Sequence, residues 1–368
     1  MTTRGDPVPV ETLLVSVFTI PTDAPEADGT YEWESTTIVV VDLTAGGQSG
    51  LGYTYADSAT ARLIADKLAK IVIGSDAMSI SAAWMSMSRS VRNLGRPGIC
   101  SMAISAVDTA LWDLKARLLH VPLVTLLGQV RESMPIYGSG GFTSYSIEKL
   151  QKQLRGWVEQ GIPRVKMKIG RDIDADRARV AAAREAIGED AELFVDANGA
   201  YSRKQALAQA HAFAKSNVSW FEEPVSADDL EGLRLIRDRG PAGMNIAAGE
   251  YGYEIDYFRR MIEADAVDVV QADATRCGGF TGFLQVAAFC EAHHLPLSAH
   301  CAPALHAPVG CATGPFVHGE YFHDHVRIEN LFFDGVPQVR EGALRPDLSR
   351  PGLGLELRRS DVDKFRVN

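Results

Sequence analysis

Cysteine is scarce in this 368-residue chain, and what there is does not pair. The five residues, Cys100, Cys277, Cys290, Cys301 and Cys311, are odd in number and form no CxxC. That excludes a disulfide framework and implies reduced, mostly buried thiols in a cytoplasmic protein. Long apolar runs are also missing: the stretch from Ile38 to Val41 is far too short to span a bilayer, and the N-terminus, MTTRGDPVPVE, carries no apolar segment of the signal-peptide kind. Basic residues are outnumbered, 37 Lys and Arg against 47 Asp and Glu. The resulting net charge of −10 removes nucleic acid and membrane surfaces from the expected partners. It does not exclude an anionic small molecule, because a bound cation reverses the local sign. HExxH and deaminase-type signatures are absent as well, so zinc hydrolysis has little support. Glycines cluster at 46–52 and 138–141, but neither stretch fits GxGxxG or GxxxxGK[ST], and GSGG at 138–141 is not a GxSxG nucleophile elbow. No low-complexity segment or charge run breaks the chain.

What is present describes a globular chain with ample material for a core, long enough for one large barrel with added elements or for two domains. Residues 10–20 and 35–42 are rich in β-branched side chains and predict strands, with Gly-rich turns at 45–52. From about residue 57 to 120 the pattern turns helical. Ser101 is placed to cap a helix whose apolar positions include Ile104, Val107, Leu111 and Leu114. Residues 1–130 thus read as an α+β block. Beyond it, short apolar strands alternate with amphipathic helices. The strands are expected at 134–139, 164–170, 192–197, 218–223, 244–250, 267–273, 295–300 and 316–320, and helices at, for example, 173–187 and 202–215. Strand alternating with helix predicts a parallel α/β sheet, and eight strands predict closure into a barrel over residues 131–335. The Pro-, Gly- and Arg-rich tail, 336–368, is expected to pack back onto the first block.

Along this second part, ionisable residues keep an even beat. Lys168, Asp196, Glu222, Glu250, Asp273 and His300 are separated by 28, 26, 28, 23 and 27 residues, and Glu320 follows after 20 more. Each interval is about one strand–loop–helix–loop unit, so one acid or base per unit converges on the C-terminal mouth of a barrel. Asp196, Glu222 and Glu250 each end a predicted strand. Three carboxylates meeting at one point repel one another unless a cation joins them. An oxygen-only set suits Mg²⁺, or Mn²⁺ as its substitute, and leaves positions for a substrate carboxylate.

Lys166 and Lys168 share one face of their strand. With Val165, Met167 and Ile169 directed at the surrounding helices, both ammonium groups enter the barrel, where repulsion and desolvation are expected to lower a lysine pKa towards that of a working base. Asp273 and His300 end consecutive strands, and a carboxylate there fixes an imidazole tautomer and raises its basicity. Tyr137 and Ser139 on the first barrel strand, and Asn198 beside Asp196, are candidate substrate contacts. His293 and His294 read as charges at a helix C-terminus, whereas His323 and His325 stay open to a role at the site.

Taken in order, AISAVDTALWDLKAR (103–117), KMK (166–168), DANG (196–199), WFEEP (220–224) and GE (249–250) resemble the mandelate racemase subgroup of the enolase superfamily over nearly the whole chain. The resemblance implies a modified TIM barrel, (β/α)7β-like, under an N-terminal α+β capping domain that the C-terminal tail completes. It implies Asp196, Glu222 and Glu250 as Mg²⁺ ligands, Lys168 as one acid/base catalyst tuned by Lys166, and His300 with Asp273 as the catalyst on the opposite face. Glu320 becomes the acid that hydrogen-bonds the substrate carboxylate. In the related muconate-lactonizing subgroup a lysine stands where this chain has Asp273, which argues against a cycloisomerase or a dipeptide epimerase. The implied chemistry is removal of the proton beside a carboxylate through an enediolate. Dehydration of a sugar acid is the first expectation. Racemisation or epimerisation of a 2-hydroxy acid uses the same residues and is the alternative, and a non-catalytic scaffold on the same fold is a remote third. A small-molecule carboxylate is the expected partner, together with further copies of the chain in a homo-oligomer. Residues 21–34, with Tyr31 and Trp33, are expected to cover the barrel mouth.

Overall fold

The computed structural model describes residues 6–367. Its first layer is an antiparallel sheet of β1 (Thr12–Ala27), β2 (Glu32–Ala45) and β3 (Gln48–Tyr55), in that order. Between β2 and β3 only Gly46 and Gly47 turn, with φ of +55° and +74°, the left-handed pair a two-residue hairpin demands. The rest of the predicted 45–52 turn is strand. Gly50 and Gly52 sit inside β3 because the helix Ile99–Leu118 presses on them: a Cβ on Gly52 would lie 2.1 Å from the Ala106 carbonyl oxygen. The segment 21–34 is likewise no free loop. β1 and β2 continue through it as a hairpin whose register shifts between Pro21 and Glu26.

The helix Ile99–Leu118 is buried almost all round, lying between this sheet and the rest of the molecule. It begins two residues ahead of Ser101, after Gly98 at φ +74°, so Ser101 is not its cap. The Ser101 hydroxyl donates instead to the Tyr253 carbonyl, 2.5 Å away. Asp108, from the same helix, accepts from the Thr281 amide (3.0 Å) and hydroxyl (2.6 Å) in the first turn of the helix Gly279–Ala292.

Eight parallel strands follow: β4 (Met134–Gly140), β5 (Arg164–Lys168), β6 (Glu192–Asp196), β7 (Val218–Glu222), β8 (Asn245–Ala248), β9 (Val269–Ala272), β10 (Leu297–Ala299) and β11 (Phe316–Phe322). Each pairs with the next, and β11 pairs with β4 from Gly319↔Ile136 to Phe322↔Ser139, which closes the barrel. The strands lie where the alternation placed them, six of them one to three residues shorter and β4 and β11 one and two residues longer. The helix His323–Phe332 after β11 meets the first layer: Tyr53 donates to Glu329 at 2.7 Å, Thr36 to Asp324, and Phe332 stands edge-on to Phe18. The tail touches both parts. Ala343–Leu344 pairs antiparallel with β4, Glu356–Leu357 with Phe333–Asp334, and Arg366 bridges to Phe18. All five cysteines are free and buried, and no helix among the described residues is long and apolar enough to cross a membrane.

Inside the barrel, Tyr137, Phe194, Trp220, Ala247 and Val269 fill a lower layer, and His318 lies within it, its ring 5.2 Å from that of Trp220. Burial among these rings, helped by the positive charge of Arg164, pushes the His318 pKa down to about 3 from an ordinary 6.5. The folded protein therefore refuses a proton that the unfolded chain accepts below about pH 6.5. The stabilisation from a neutral His318 is complete above that pH and declines on acidification towards pH 3, by up to roughly 1.4 kcal/mol per pH unit. His306 and His325 are also held below their ordinary values by burial, so His318 is one of three such contributors. His318→Phe is expected to flatten the acid limb of a stability–pH profile from urea denaturation, and an unchanged slope between pH 6 and 4 would count against this account.

Candidate active site

The barrel strands bring their C-terminal acids and bases to one floor. Lys168, Asp196 and Glu222 are the last residues of β5, β6 and β7, while Asp273 and His300 follow β9 and β10 by one residue and Glu250 follows β8 by two. Carboxylate oxygens of Asp196, Glu222 and Glu250 lie within 4.8 Å of one another, and all three residues are buried. Glu250 Oε2 has no hydrogen-bond partner among the described residues, with His300 Nε2 standing off at 3.5 Å. Burial, then the charge of Asp196, pushes Glu222 up to about 8 against the pull of Lys166. A trio of buried acids, one proton-hungry and one with an orphaned oxygen, is a set that a divalent cation completes.

Both lysines point inward, as the alternation required, and Val165, Met167 and Ile169 pack outward in the main core. Lys166 is wholly buried and ties three acids: Glu222 at 2.6 Å, Glu320 at 2.9 Å and Asp196 at 3.3 Å. Lys168 Nζ lies 2.5 Å from Asp196 Oδ2. The expected lowering of the lysine pKa is not what these contacts produce. Burial and Lys166 both work against the Lys168 charge, but the adjoining Asp196 carboxylate outweighs them and raises its pKa, and Lys166 is raised in the same way. The acids that reverse the expectation come from other strands.

His300 Nδ1 is 2.8 Å from Asp273 Oδ2. Asp273 Oδ1 accepts from the Thr275 amide at 2.7 Å, so the carboxylate is fixed from two sides. Burial opposes charge on His300, but Glu250, Asp273 and Glu320 together raise its pKa. Arg276, not singled out in the sequence, reaches towards Asp273 and Glu250, each at 3.7 Å; its position three residues after Asp273 was the available signal.

A cavity of about 470 Å³ opens above this floor. Lys168, Asn198, Glu250, Asp273, His300 and Glu320 line it from the barrel. Asp28, Tyr31, Trp33, Thr36, Thr37 and Tyr55 line it from the first layer, so the 21–34 hairpin does cover the mouth. A larger cleft, about 610 Å³, lies beyond Asn198 and Tyr251, but Lys168, Asp273 and His300 are not on its wall. The Lys168, Asp273 and His300 side chains face the smaller space.

Of the expected substrate contacts, Asn198 is on the cavity wall with a buried, unpartnered Oδ1. Tyr137 is not: it lies in the lower layer, 5.3 Å beneath the Lys166 ammonium, its hydroxyl engaged by Gln271. Ser139 is also buried under the floor, where its hydroxyl donates to Glu320 Oε1 at 2.5 Å. Both residues brace the floor. His325 lines the cavity, stacked on Tyr55, whereas His323 faces Asp23 at the rim.

A capped parallel barrel with three clustered acids, two interior lysines and an Asp–His pair at its mouth defines an enolase-type architecture. Residues 15–128 match the N-terminal domain model of mandelate racemase / muconate lactonizing enzyme, and residues 149–362 the enolase C-terminal domain-like model. The chain belongs to the mandelate racemase / muconate lactonizing enzyme family of the enolase superfamily. It is 32% identical over 95% of its length to 3,6-anhydro-alpha-L-galactonate cycloisomerase of Streptomyces coelicolor, covering 97% of that protein. The crystal structure of a mandelate racemase/muconate lactonizing enzyme-like protein from Rubrobacter xylanophilus superposes with a TM-score of 0.96 at 56% identity, over 98% of this chain and 100% of that one. A mutant L-talarate/galactarate dehydratase liganded with Mg and L-glucarate superposes at 0.91 and 27% identity, over 100% and 95%. A relative named as a cycloisomerase narrows the inference drawn from Asp273.

Proposed function

We propose that this protein is a Mg²⁺-dependent lyase that eliminates a β-oxygen from a sugar acid, with dehydration to a 2-keto acid as its reaction. The observation that carries this reading is the cavity wall: Lys168 and the His300–Asp273 pair meet in one space whose roof supplies Thr36, Thr37, Asp28 and Tyr55, hydrogen-bonding groups suited to a polyhydroxy chain. Asp196, Glu222 and Glu250 are the residues to hold the cation. Bound there, a divalent ion would offset most of the acids' negative charge, weaken the hold of Asp196 on Lys168 and supply the positive charge that acidifies the C–H bond next to a bound carboxylate.

The chain's own groups then divide the work. Glu320, set by Lys166 and Ser139, faces the substrate carboxylate. Lys168 takes the α-proton and the electron pair enters the carboxylate as an enediolate. His300, charged through its contact with Asp273, gives its proton to the β-oxygen as the C–O bond breaks. For a hydroxyl leaving group the products are water and an enol that ketonises; for a ring ether the same step opens the ring, which accommodates a cycloisomerase relative. Residues 1–130 with 336–368 act as the cap and 131–335 as the catalytic barrel.

The test is a screen of acid sugars, followed by assay for 2-keto acid and for α-deuterium uptake from D₂O. Keto acid supports the reading; exchange without keto acid would instead mark a racemase or epimerase. The metal assignment has its own check. Glu222→Gln keeps the shape that contacts Lys166 and Trp220 Nε1 (3.0 Å) while removing the charge. Mg²⁺ affinity by calorimetry is expected to fall at least about 100-fold, since even indirect metal contacts are worth 10–100-fold. Unchanged affinity would move the site elsewhere.

A further inference from the structure

Beside the oxygen-only trio, the floor carries a second and chemically different group of ligand atoms. Cys301 Sγ lies 3.2 Å from His300 Nε2 and 3.4 Å from Glu320 Oε2, and Nε2 is 3.8 Å from that oxygen. Bonds of about 2.0–2.3 Å at tetrahedral angles separate neighbouring ligand atoms by roughly 3.3–3.8 Å, so the 3.4 and 3.8 Å spacings fall within the edges of a zinc coordination tetrahedron and the 3.2 Å one lies just short of them. All three residues are buried yet line the cavity, and an ion entering by the substrate's route reaches them.

Each ligand is already aimed. Asp273 holds His300 by Nδ1, the carboxylate–histidine arrangement that turns Nε2 towards the sulfur as the nitrogen a metal would take. Glu320 Oε1 is occupied by Ser139 and Lys166, which turns Oε2 towards the sulfur. Successive side chains of an extended strand point to opposite faces, and Cys301 escapes that rule because it and Ala302 adopt φ of +50° and +40°. Left-handed backbone at two consecutive non-glycine residues is strained, and here it swings the thiol back beside its neighbour's imidazole. The Cys301 amide closes the turn by donating to Glu320 Oε2 at 2.9 Å.

From this geometry we infer a second metal site, made of His300, Cys301 and Glu320, that takes a borderline-soft divalent ion of the zinc class and inhibits the enzyme. The mixed nitrogen, sulfur and oxygen set selects Zn²⁺ over Mg²⁺, and the fourth position is left for water. On binding, the S–H bond of Cys301 and the Nε2–H bond of His300 break, both protons pass to solvent, and metal–sulfur and metal–nitrogen bonds form, with no change of oxidation state. Inhibition follows because the ion occupies the lone pair with which His300 handles a proton. The site itself stands on ligand geometry alone; its inhibitory effect rests on the role proposed above for His300.

Co²⁺ added to the full chain, presaturated with Mg²⁺, reports the site directly. One equivalent is expected to produce a near-ultraviolet thiolate-to-cobalt absorption band that Zn²⁺ abolishes. Cys301→Ser, or Cys301→Ala should the first not fold, removes the band, and Asp273→Asn weakens cobalt affinity about 10–100-fold. Asp196→Asn, which dismantles the oxygen trio, leaves the band in place. Cobalt bound without a band in the native protein places the ion on oxygen and nitrogen ligands alone, such as the rim group Asp23, Glu26 and His323, and overturns the site. A band surviving both cysteine variants overturns it as well. Zn²⁺ that abolishes the cobalt band but leaves turnover unaffected refutes the inhibition and, with it, the need for a free His300 lone pair.

Discussion

Lys168→Met is expected to abolish both α-deuterium exchange and product formation, while His300→Asn abolishes product and leaves exchange running. The split follows from the assigned order of steps. Lys168 acts first, at the C–H bond, and nothing downstream proceeds without it. His300 acts second, at the leaving oxygen, so its loss lets the enediolate form and return to substrate. A lysine returns solvent hydrons because its ammonium carries three and exchanges them, so reversal is visible as deuterium uptake. Loss of a positioned base or acid costs about 10²–10⁴-fold, and the upper end, near 5 kcal/mol, is expected for Lys168 because its target is a poorly acidic carbon. For His300→Asn, dehydration is expected to fall about 10³-fold with exchange within tenfold of the native rate. Asparagine keeps a polar group of similar reach beside Asp273, and Lys168 with its Asp196 contact is untouched. Proton NMR in D₂O with a coupled keto-acid assay separates the two rates on one sample. If His300→Asn stops exchange while Lys168→Met preserves it, base and acid are exchanged between the two residues. Equal loss of both signals in both variants would remove the stepwise scheme.

The floor of this site was legible in the sequence because a βα unit has a nearly constant length. One ionisable residue per unit shows as a beat, and Lys168, Asp196, Glu222, Glu250, Asp273 and His300 do meet. Alternation along β5 also gave the inward direction of Lys166 and Lys168. Depth along the barrel axis was not legible. Tyr137 and Ser139 share the inward face of β4, yet period-two alternation does not say which layer a residue joins, and both proved to lie beneath the floor. The lysine pKa failed for a related reason: its partners stand on neighbouring strands, 28 and 56 residues on, and local sequence shows only the like charge two residues away. The roof residues Thr36, Thr37 and Tyr55 carry no motif at all. They reach the cavity because the first layer docks over the barrel, through contacts such as Tyr53 with Glu329 that join residues 276 apart in the chain.

That docking puts the largest stability effect far from the chemistry, at Asp113. This carboxylate is buried completely and joins three segments: its Oδ2 accepts from the Leu51 amide of β3 at 2.7 Å and from Arg117 Nε at 2.8 Å, and its Oδ1 from the Leu353 amide of the tail at 2.6 Å. Gly352 allows the tail to come so close, since a Cβ there would meet Asp113 Oδ1 at 2.0 Å. Arg117, itself buried, goes on to Glu356 and the Leu355 carbonyl. Asp113→Ala therefore strands two buried amides and a guanidinium at once, and breaking a buried pair from one side costs about 3–5 kcal/mol. Asp113→Asn keeps an acceptor for one amide and loses the charge, so a smaller loss of about 1–3 kcal/mol is expected. The ordering native, Asn, Ala should appear in urea denaturation midpoints, with earlier proteolysis of the tail in the alanine variant. Because the residue touches neither the cavity nor its floor, exchange and dehydration rates per folded molecule should stay within about twofold at temperatures where the variants are folded, in contrast to the Lys168 result, where folding is kept and the chemistry is lost. A midpoint unchanged in Asp113→Ala would mean that the sheet, the helix Ile99–Leu118 and the tail hold together through their apolar contacts alone.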